Sequence, residues 1–468
     1  MKGGLKRLLE DKVFWRSMLR IAFPVAMQNL LASSLALIDS LMVGQLGDTA
    51  LAAVGIGSQL SFFANILMFG IVSGGAVFAA QYWGSKNMKG ISKALGVMLC
   101  CNVPIALVFV LLGLFIPERL IALFSPEDAS VIQAGADYIR IAMFSQVGLA
   151  FNLAFSTTLR STEEVKIPFI TSGVSVVTNL VLNYILIYGK LGLPAMGVEG
   201  AAVATVVSAV LGPLLMYLMS LKKKNAISAG FRELFGFDRE FVALFFKKAL
   251  PVMFNEGLWS LGVMVYNAIF ARMGTDCYAA LTIFRTVENI AFVFFMGLCH
   301  SCNVLVGKNV GAGQTETAKL YAKRFILLIP FLAIVVGGLV IAFRNPILML
   351  YAETSDSVRN TAATLLLIYG LEMGIRNIPY ISIVGIFRAG GDTKVGMYFD
   401  IGTLWMIALP ATYLCGLVWE LPFVTTYLVM MLSEDLLKVV LCLIRFFSMK
   451  WIKPVVNLGP AEKGVENG

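Results

Sequence analysis

The chain repeats itself. Shifted by about 227 residues, the segment from Phe23 to Lys89 lies over Leu250 to Glu316 without a gap. Pro24 falls on Pro251, Gly47 on Gly274, Gly70 on Gly297 and Gly84 on Gly311. Further along, with the register one residue longer, Leu159-Arg160 and Lys166 meet Phe387-Arg388 and Lys394. Whatever fold this chain adopts must therefore be buildable twice. Apolar runs of roughly 20 residues recur through both halves, each long enough to cross about 30 Å of hydrocarbon as a helix. They begin near residues 21, 50, 94, 135, 168 and 199, and again near 249, 278, 325, 361, 395 and 423. Six crossings per half is an even number, so both halves enter the bilayer from the same side, as parallel repeats about an axis along the membrane normal. Membrane halves paired in this way are most economically a transporter.

Composition agrees. The chain is 58% hydrophobic and 14% charged, with a mean hydropathy of +0.82, whereas soluble domains carry roughly 45–50% apolar and about 25% charged residues. The expected fold is an all-α integral membrane protein of about twelve transmembrane helices in two pseudo-symmetric six-helix bundles, residues 21–221 and 249–450. Residues 1–20 are read as a cytoplasmic N-terminal segment, 222–248 as a cytoplasmic linker with a short amphipathic helix around Phe231–Phe237, and 451–468 as a cytoplasmic tail that is polar from Pro454. The net charge of +9 does not point to nucleic acid. Lys2, Lys6, Arg7, Lys86, Lys89, Arg160, Lys222, Lys223, Lys308, Arg388, Lys394 and others fall in connections on one side. The opposite connections hold only Arg119, Lys190, Arg272, Arg344 and Arg359. The excess of positive loops on one side places both termini in the cytoplasm, with the chain in the cell's inner (plasma) membrane.

A charge near the bilayer centre costs about 2.5–3.5 kcal/mol on insertion scales, so charges inside apolar runs need a reason. In the first half Asp39 stands out. Gln28, eleven positions earlier, returns to nearly the same helical face, and Asn179 and Asn183 form an i, i+4 pair on the fifth run at similar depth. A carboxylate with amide oxygens suits a proton or Na⁺. In the second half Glu256 shares a face with Ser260 and Asn267, Glu288 lies on the eighth run and Glu372 on the tenth. Three carboxylates at one depth would repel if all were ionised, so at least one should hold a proton. The structural alternative is local pairing, Glu372 with Arg376 at i, i+4 and Arg285 with Glu288 at i, i+3. Glu256 has no basic residue so placed, which makes it a candidate coupling carboxylate, with an interhelical pair to Arg376 as the competing reading. Asp400 and the Glu434, Asp435, Lys438 cluster are secondary candidates.

Cys299-His300-Ser301-Cys302 has metal-ligand residue types but no second ligand pair, and a zinc site needs about four ligands. The seven cysteines form no disulfide pattern. No G-x-x-x-x-G-K-[ST] loop occurs, which argues against direct use of ATP, and no catalytic constellation points to an enzyme. No cofactor is expected beyond the coupling ion.

The run Asn179-Leu-Val-Leu-Asn183-Tyr-Ile-Leu-Ile-Tyr-Gly189, the following Leu191-Gly-Leu-Pro194-Ala-Met-Gly197-Val-Glu-Gly200, Pro24 followed by Asp39, Val43-Gly44-Gln-Leu-Gly47, and Phe387-Arg388-Ala-Gly390-Gly391-Asp392-Thr393-Lys394 resemble the multidrug and toxic compound extrusion (MATE) family over residues 15–450. The resemblance implies two six-helix bundles around a central cavity. It implies antiport of amphipathic, mostly cationic drugs and toxic compounds against H⁺ or Na⁺, by a monomer in the lipid bilayer. It also implies that Asp39, Asn179 and Asn183 correspond to the family's first-bundle polar site, and Glu256, Glu288 and Glu372 to acids of its second bundle. Some members carry aspartate where this chain has Asn183. The rival within transporters is a lipid-linked sugar flippase or a metabolite exporter of the same superfamily.

Overall fold

The computed structural model describes residues 11–123, 129–351 and 354–456. Lys2, Lys6, Arg7 and the tail beyond residue 456 lie outside the described residues. Twelve long helical segments carry the chain. The first six are α1 (Lys12–Gly44), α2 (Asp48–Gly84), α3 (Met88–Phe115), α4 (Ala129–Ala142 and Ser145–Ser161, meeting at a 47° bend), α5 (Lys166–Tyr188) and α6 (Gly197–Lys223). After the short helix Phe231–Phe235 come α7 (Arg239–Arg272), α8 (Thr275–Gly311), α9 (Thr315–Met349) and α10 (Asp356–Tyr380, continuing to Arg388–Gly390). The last two are α11 (Thr393–Val418) and α12 (Phe423–Phe447). Eight of these are long and apolar enough to cross a membrane, or nine with the bent α4 counted as one span. The remaining three, α7, α10 and α12, are the helices that carry Glu256, Glu372 with Arg376, and Glu434, Asp435 and Lys438.

The helix ends follow local chemistry. Asp11 caps α1, its Oδ1 accepting from the backbone N–H of Val13 and Phe14 at 3.1 and 3.0 Å. Asn87 caps α3 and Ser355 caps α10 in the same way, each satisfying a donor that the helix leaves open. Gly189 ends α5 in a left-handed conformation, φ +64°, which a residue without Cβ adopts without strain. Pro379 in α10 and Pro410 in α11 lack a backbone donor, and the neighbouring turns Ile381–Phe387 and Leu404–Ala408 widen to i→i+5 bonding, a usual response to a broken ladder.

The described residues divide into two compact units. One takes Met27–Ala79 and Asn87–Ala249; the other takes the chain up to Ala26, Ala80–Lys86 and everything from Leu250. This differs from a division at 222–248, and the packing explains why. The first turns of α1 lie against α8: Ser301 donates to the Met18 carbonyl at 3.2 Å, and Gly297 sits so close to Ala22 that a Cβ there would meet its carbonyl oxygen at 2.6 Å. The repeat-related contact occurs in the other unit, where Gly74 of α2 meets Ala249 of α7 and Phe78 stacks on Phe245 at 5.3 Å. Gly84 and Gly311, paired by the repeat, also make reciprocal contacts: a Cβ on Gly84 would lie 1.9 Å from the Lys308 carbonyl oxygen, and one on Gly311 1.9 Å from that of Gln81.

The first residues after α12 are tied down by specific contacts. Trp451 is fully buried and stacks on Phe446. The Lys453 backbone N–H donates to the Gly390 carbonyl at 2.7 Å, and its Nζ donates to Asp392 at 2.6 Å. The outer faces of the helices are apolar, with Phe115, Ile334 and Met406 at least 75% exposed, and only 22% of the apolar window of α5 is buried. A surface of that kind is solvated by lipid.

Candidate functional site

In the first unit, α1, α5 and α6 bring a polar cluster together. Asn183 donates through Nδ2 to Asp39 Oδ1 at 2.6 Å and to Asn179 Oδ1 at 2.9 Å. Asn179 in turn donates to Ser208 Oγ at 3.2 Å. The close approach of α5 and α6 is set by Gly200, where a Cβ would meet the Leu186 backbone at 2.8 Å, and by Gly212, which abuts Ser175. Both asparagines are 1% exposed and Asp39 is half-buried. Asp39 has no basic partner among the described residues, and Asn183 Oδ1 is buried with no donor reaching it. The Asn183 amide N–H₂ group thus bridges the Asp39 carboxylate of α1 and the Asn179 amide oxygen of α5, which brings a carboxylate and amide oxygens into one cluster. Oxygens of this type hold a proton or a hard monovalent ion.

Gln28 belongs elsewhere. Its Oε1 accepts from Arg160 at 2.6 Å and its Nε2 donates to Ser172 at 2.6 Å. Eleven residues of helix separate it from Asp39 by about 16 Å, so a shared face does not make a shared site.

The second unit is richer in charge, and the pairings differ from the local ones expected. Glu256 is not unpaired: its carboxylate lies 2.7 Å from the guanidinium of Arg388, which is 3% exposed. Arg376 reaches across from α10 to Glu288 on α8 at 2.8 Å, instead of pairing with Glu372 or Glu256, and Glu288 takes it in place of Arg285. Glu372 on α10 and Asp435 on α12 are both buried, 6% and 7% exposed. Lys438 lies between Asp400 at 2.7 Å and Glu434 at 2.9 Å. Asn255 donates to Asp400 at 3.0 Å, and Tyr266 to Glu434 at 3.1 Å. Asn267 joins neither group; its Oδ1 is buried without a donor. Six carboxyl groups thus accompany three paired cations. Full ionisation would leave an uncompensated excess of negative charge in a low-dielectric interior, which is unfavourable unless protons or cationic ligands neutralise it.

Arg388 was missed as a site residue and Asp435 ranked only as a secondary candidate, although the sequence held a signal for each. Glu434 and Asp435 are adjacent, so they point about 100° apart on a helix. With Glu434 facing Lys438 at i+4, Asp435 must look toward another helix. Arg388 is the repeat counterpart of Arg160. That longer register also places Ser172 over Asp400, the first register places Gln28 over Asn255, and both Gln28–Ser172 and Asn255–Asp400 are hydrogen-bonded. The polar scaffold is duplicated while the charges on it are not; Asp39 itself falls on Tyr266.

Comparison with known proteins matches residues 24–185 and 251–414 to the MatE family model. The probable multidrug resistance protein NorM of Thermotoga maritima is 23% identical over 94% of each chain. The probable multidrug resistance protein YoeA of Bacillus subtilis is 26% identical over 85% of this chain and 86% of its own. Among solved structures, a MATE P26A mutant superposes with a TM-score of 0.83 at 18% identity, covering 96% of this chain and 99% of its own. A MOP-superfamily transporter from Pyrococcus furiosus, described as having a binding pocket of reversed polarity, superposes with a TM-score of 0.82 at 18% identity over 96% and 98%. At such identity these structures establish the fold alone.

Proposed function

The chain belongs to the MatE family and is a multi-pass membrane transporter of small molecules, and from that premise we propose that it is a secondary active antiporter. It exports amphipathic, mostly cationic compounds in exchange for H⁺ or Na⁺, from an inner membrane with both termini in the cytoplasm. The coupling ion binds at Asp39 with Asn183 and Asn179. The observation that carries this reading is the half-buried Asp39 carboxylate with no basic partner among the described residues, beside a buried Asn183 oxygen that no donor reaches. An unneutralised carboxylate in a membrane helix is costly; a proton or cation relieves the cost, and its arrival and departure can drive an exchange.

The preference for cationic substrates rests on the same kind of count. In the second unit Arg376, Arg388 and Lys438 are each engaged by a carboxylate, and carboxyl groups outnumber them. A flippase for lipid-linked sugars needs basic side chains available for pyrophosphate, so the charges favour organic cations. The Pyrococcus furiosus transporter, with its reversed pocket polarity, illustrates why the substrate must be argued from side chains rather than from fold.

The test is transport by the purified full-length protein in liposomes, driven first by an imposed pH gradient and then by an imposed Na⁺ gradient. One of the two should drive accumulation of an organic cation, and Asp39→Asn should abolish it while leaving the protein folded. Gradient-driven accumulation unaffected by Asp39→Asn would overturn the assignment.

A further inference from the structure

The two halves hold the same guanidinium in different company. In the second unit Arg388 is 3% exposed and lies 2.7 Å from the Glu256 carboxylate. Its repeat counterpart Arg160, in the last turn of α4, makes no ion pair among the described residues. Asn29 stands in the place of Glu256, and Ser172 in the place of Asp400. Arg160 Nη2 donates to the Gln28 amide oxygen at 2.6 Å, and Nε is buried without an acceptor. Gln28, itself buried, is fixed by donating to Ser172 Oγ at 2.6 Å. A guanidinium carries five donors and stays charged, so one neutral acceptor leaves it short of hydrogen bonds and of counter-charge.

We propose that Arg160, positioned by Gln28 and Ser172, is a receptor for the carboxylate group of a small molecule. The second unit supplies the template, because the group that neutralises the equivalent guanidinium there is a carboxylate. Arg388 is sealed, whereas Arg160 keeps part of its surface open, so an acceptor from outside the chain can reach it. The planar fork of a guanidinium matches a carboxylate in shape as well as in charge. A pyrophosphate carries several charges and calls for more than the one cation this cluster offers.

Neither the helix end nor the nearby acids account for the charge. A helix C-terminus supplies only about half an elementary charge, and Arg388 takes a full carboxylate although it too follows a long helix. The acids closest in sequence, Glu163 and Glu164, lie past the end of α4, and Glu164 pairs with Lys223 at 3.0 Å. The site is also separate from the Asp39 cluster, which stands about 16 Å along α1 from Gln28. It widens the cargo from cations to zwitterions, since a carboxylate that the acids of the second unit repel has a place here. That use rests on the export reading above; the binding itself does not.

The experiment is ¹⁹F NMR of para-fluorobenzoate with the purified full-length protein in neutral micelles. Para-fluorobenzyl alcohol and para-fluorobenzylamine serve as the uncharged and cationic controls. The wild type should broaden the benzoate line saturably, and acetate should compete. Arg160→Gln should weaken binding about tenfold or more, the change that one charge-assisted hydrogen bond gives. Asn29→Glu restores the acid that the second unit has at this place, so it should close the site and raise stability; it keeps the test open should Arg160→Gln fail to fold. Binding unchanged in the variants that fold, or equal broadening of the alcohol, overturns the proposal. Displacement of the benzoate by phosphatidylglycerol but not by acetate also overturns it and assigns the site to a lipid headgroup. In liposomes, a zwitterionic xanthene dye and its cationic methyl ester separate recognition from structure: Arg160→Gln should lower uptake of the acid relative to the ester. Equal loss of both dyes overturns the part of Arg160 in recognition. If no gradient drives either dye in the wild type, the export reading fails and the NMR result still decides the site.

Discussion

Replacing Glu256 by Gln tests whether this carboxylate serves coupling or neutralises Arg388. The pair is well buried, with side chains 18% and 3% exposed at an N–O distance of 2.7 Å. Removing one partner of such a pair costs about 3–5 kcal/mol, because the other charge is left in a low-dielectric site. Glutamine keeps an acceptor for the guanidinium, and a hydrogen bond to a charged group contributes about 1.5 kcal/mol or more. The expected destabilisation is then about 2–3 kcal/mol, or roughly 30- to 140-fold in the unfolding equilibrium at about 1.4 kcal/mol per factor of ten. Denaturant unfolding of the full chain in mixed micelles reads this directly. The double change Glu256→Gln with Arg388→Met removes the stranded charge and puts an apolar chain in its place. Stability should return to within about 1 kcal/mol of the wild type, and gradient-driven transport should return with it. A single variant as stable as the wild type would refute the reasoning. So would a double variant that regains stability but not coupling, since Glu256 would then carry the ion itself.

Other perturbations follow from particular contacts. Gly84→Ala or Gly311→Ala places a Cβ 1.9 Å from a backbone carbonyl, so each should lower stability by about 1–3 kcal/mol; a neutral effect in the same unfolding assay would contradict the crossing described. Asp11→Ala should cost about 1 kcal/mol through loss of the α1 cap, and more through Arg324, whose side chain is 3% exposed and 2.6 Å from Asp11. The Arg324 hydrogen bond holds the Asp11 carboxyl below its usual 3.8. Its contribution is therefore present above that value and lost as the pH falls through the lower folded-state value, so the acid-unfolding limb should flatten in Asp11→Ala. Asn183→Ala should weaken ion-driven uptake while Gln28→Ala lowers stability without changing which ion drives transport, because Gln28 serves Arg160 and Ser172.

The repeat in the sequence carried most of the architecture. Six apolar runs per half became six long helices per half because lipid leaves a spanning backbone no other way to satisfy its hydrogen bonds. The first-unit cluster was legible too: Asp39, Asn179 and Asn183 could be joined by counting depth, since the asparagines share a helix face. What failed was pairing across helices. Arg376 lies one turn from Glu372, which favours a local pair, but its long side chain reaches Glu288 on α8 instead. Glu256 looked unpaired because Arg388 is 132 positions away in sequence and only the fold brings it near. Gln28 shared a face with Asp39, and face alone ignores the distance along the helix axis. The exchange of the first turns of α1 and α7 between the compact units left no mark in hydropathy, because both are mixed stretches of apolar and charged residues, and that pattern does not say which neighbours their apolar side chains meet.

The central claim is that organic-cation movement is tied to an ion at Asp39, and flux coupling in the reverse direction tests it most directly. Full-length protein is sealed in liposomes with no imposed gradient, and an organic cation is added outside while internal pH and Na⁺ are followed by trapped indicators. Because coupling is reciprocal, inward movement of the organic cation should drive one of the two ions out of the wild-type vesicles and neither out of Asp39→Asn vesicles. Uptake of the organic cation with no movement of either ion, or with the same ion movement in Asp39→Asn, would contradict the account.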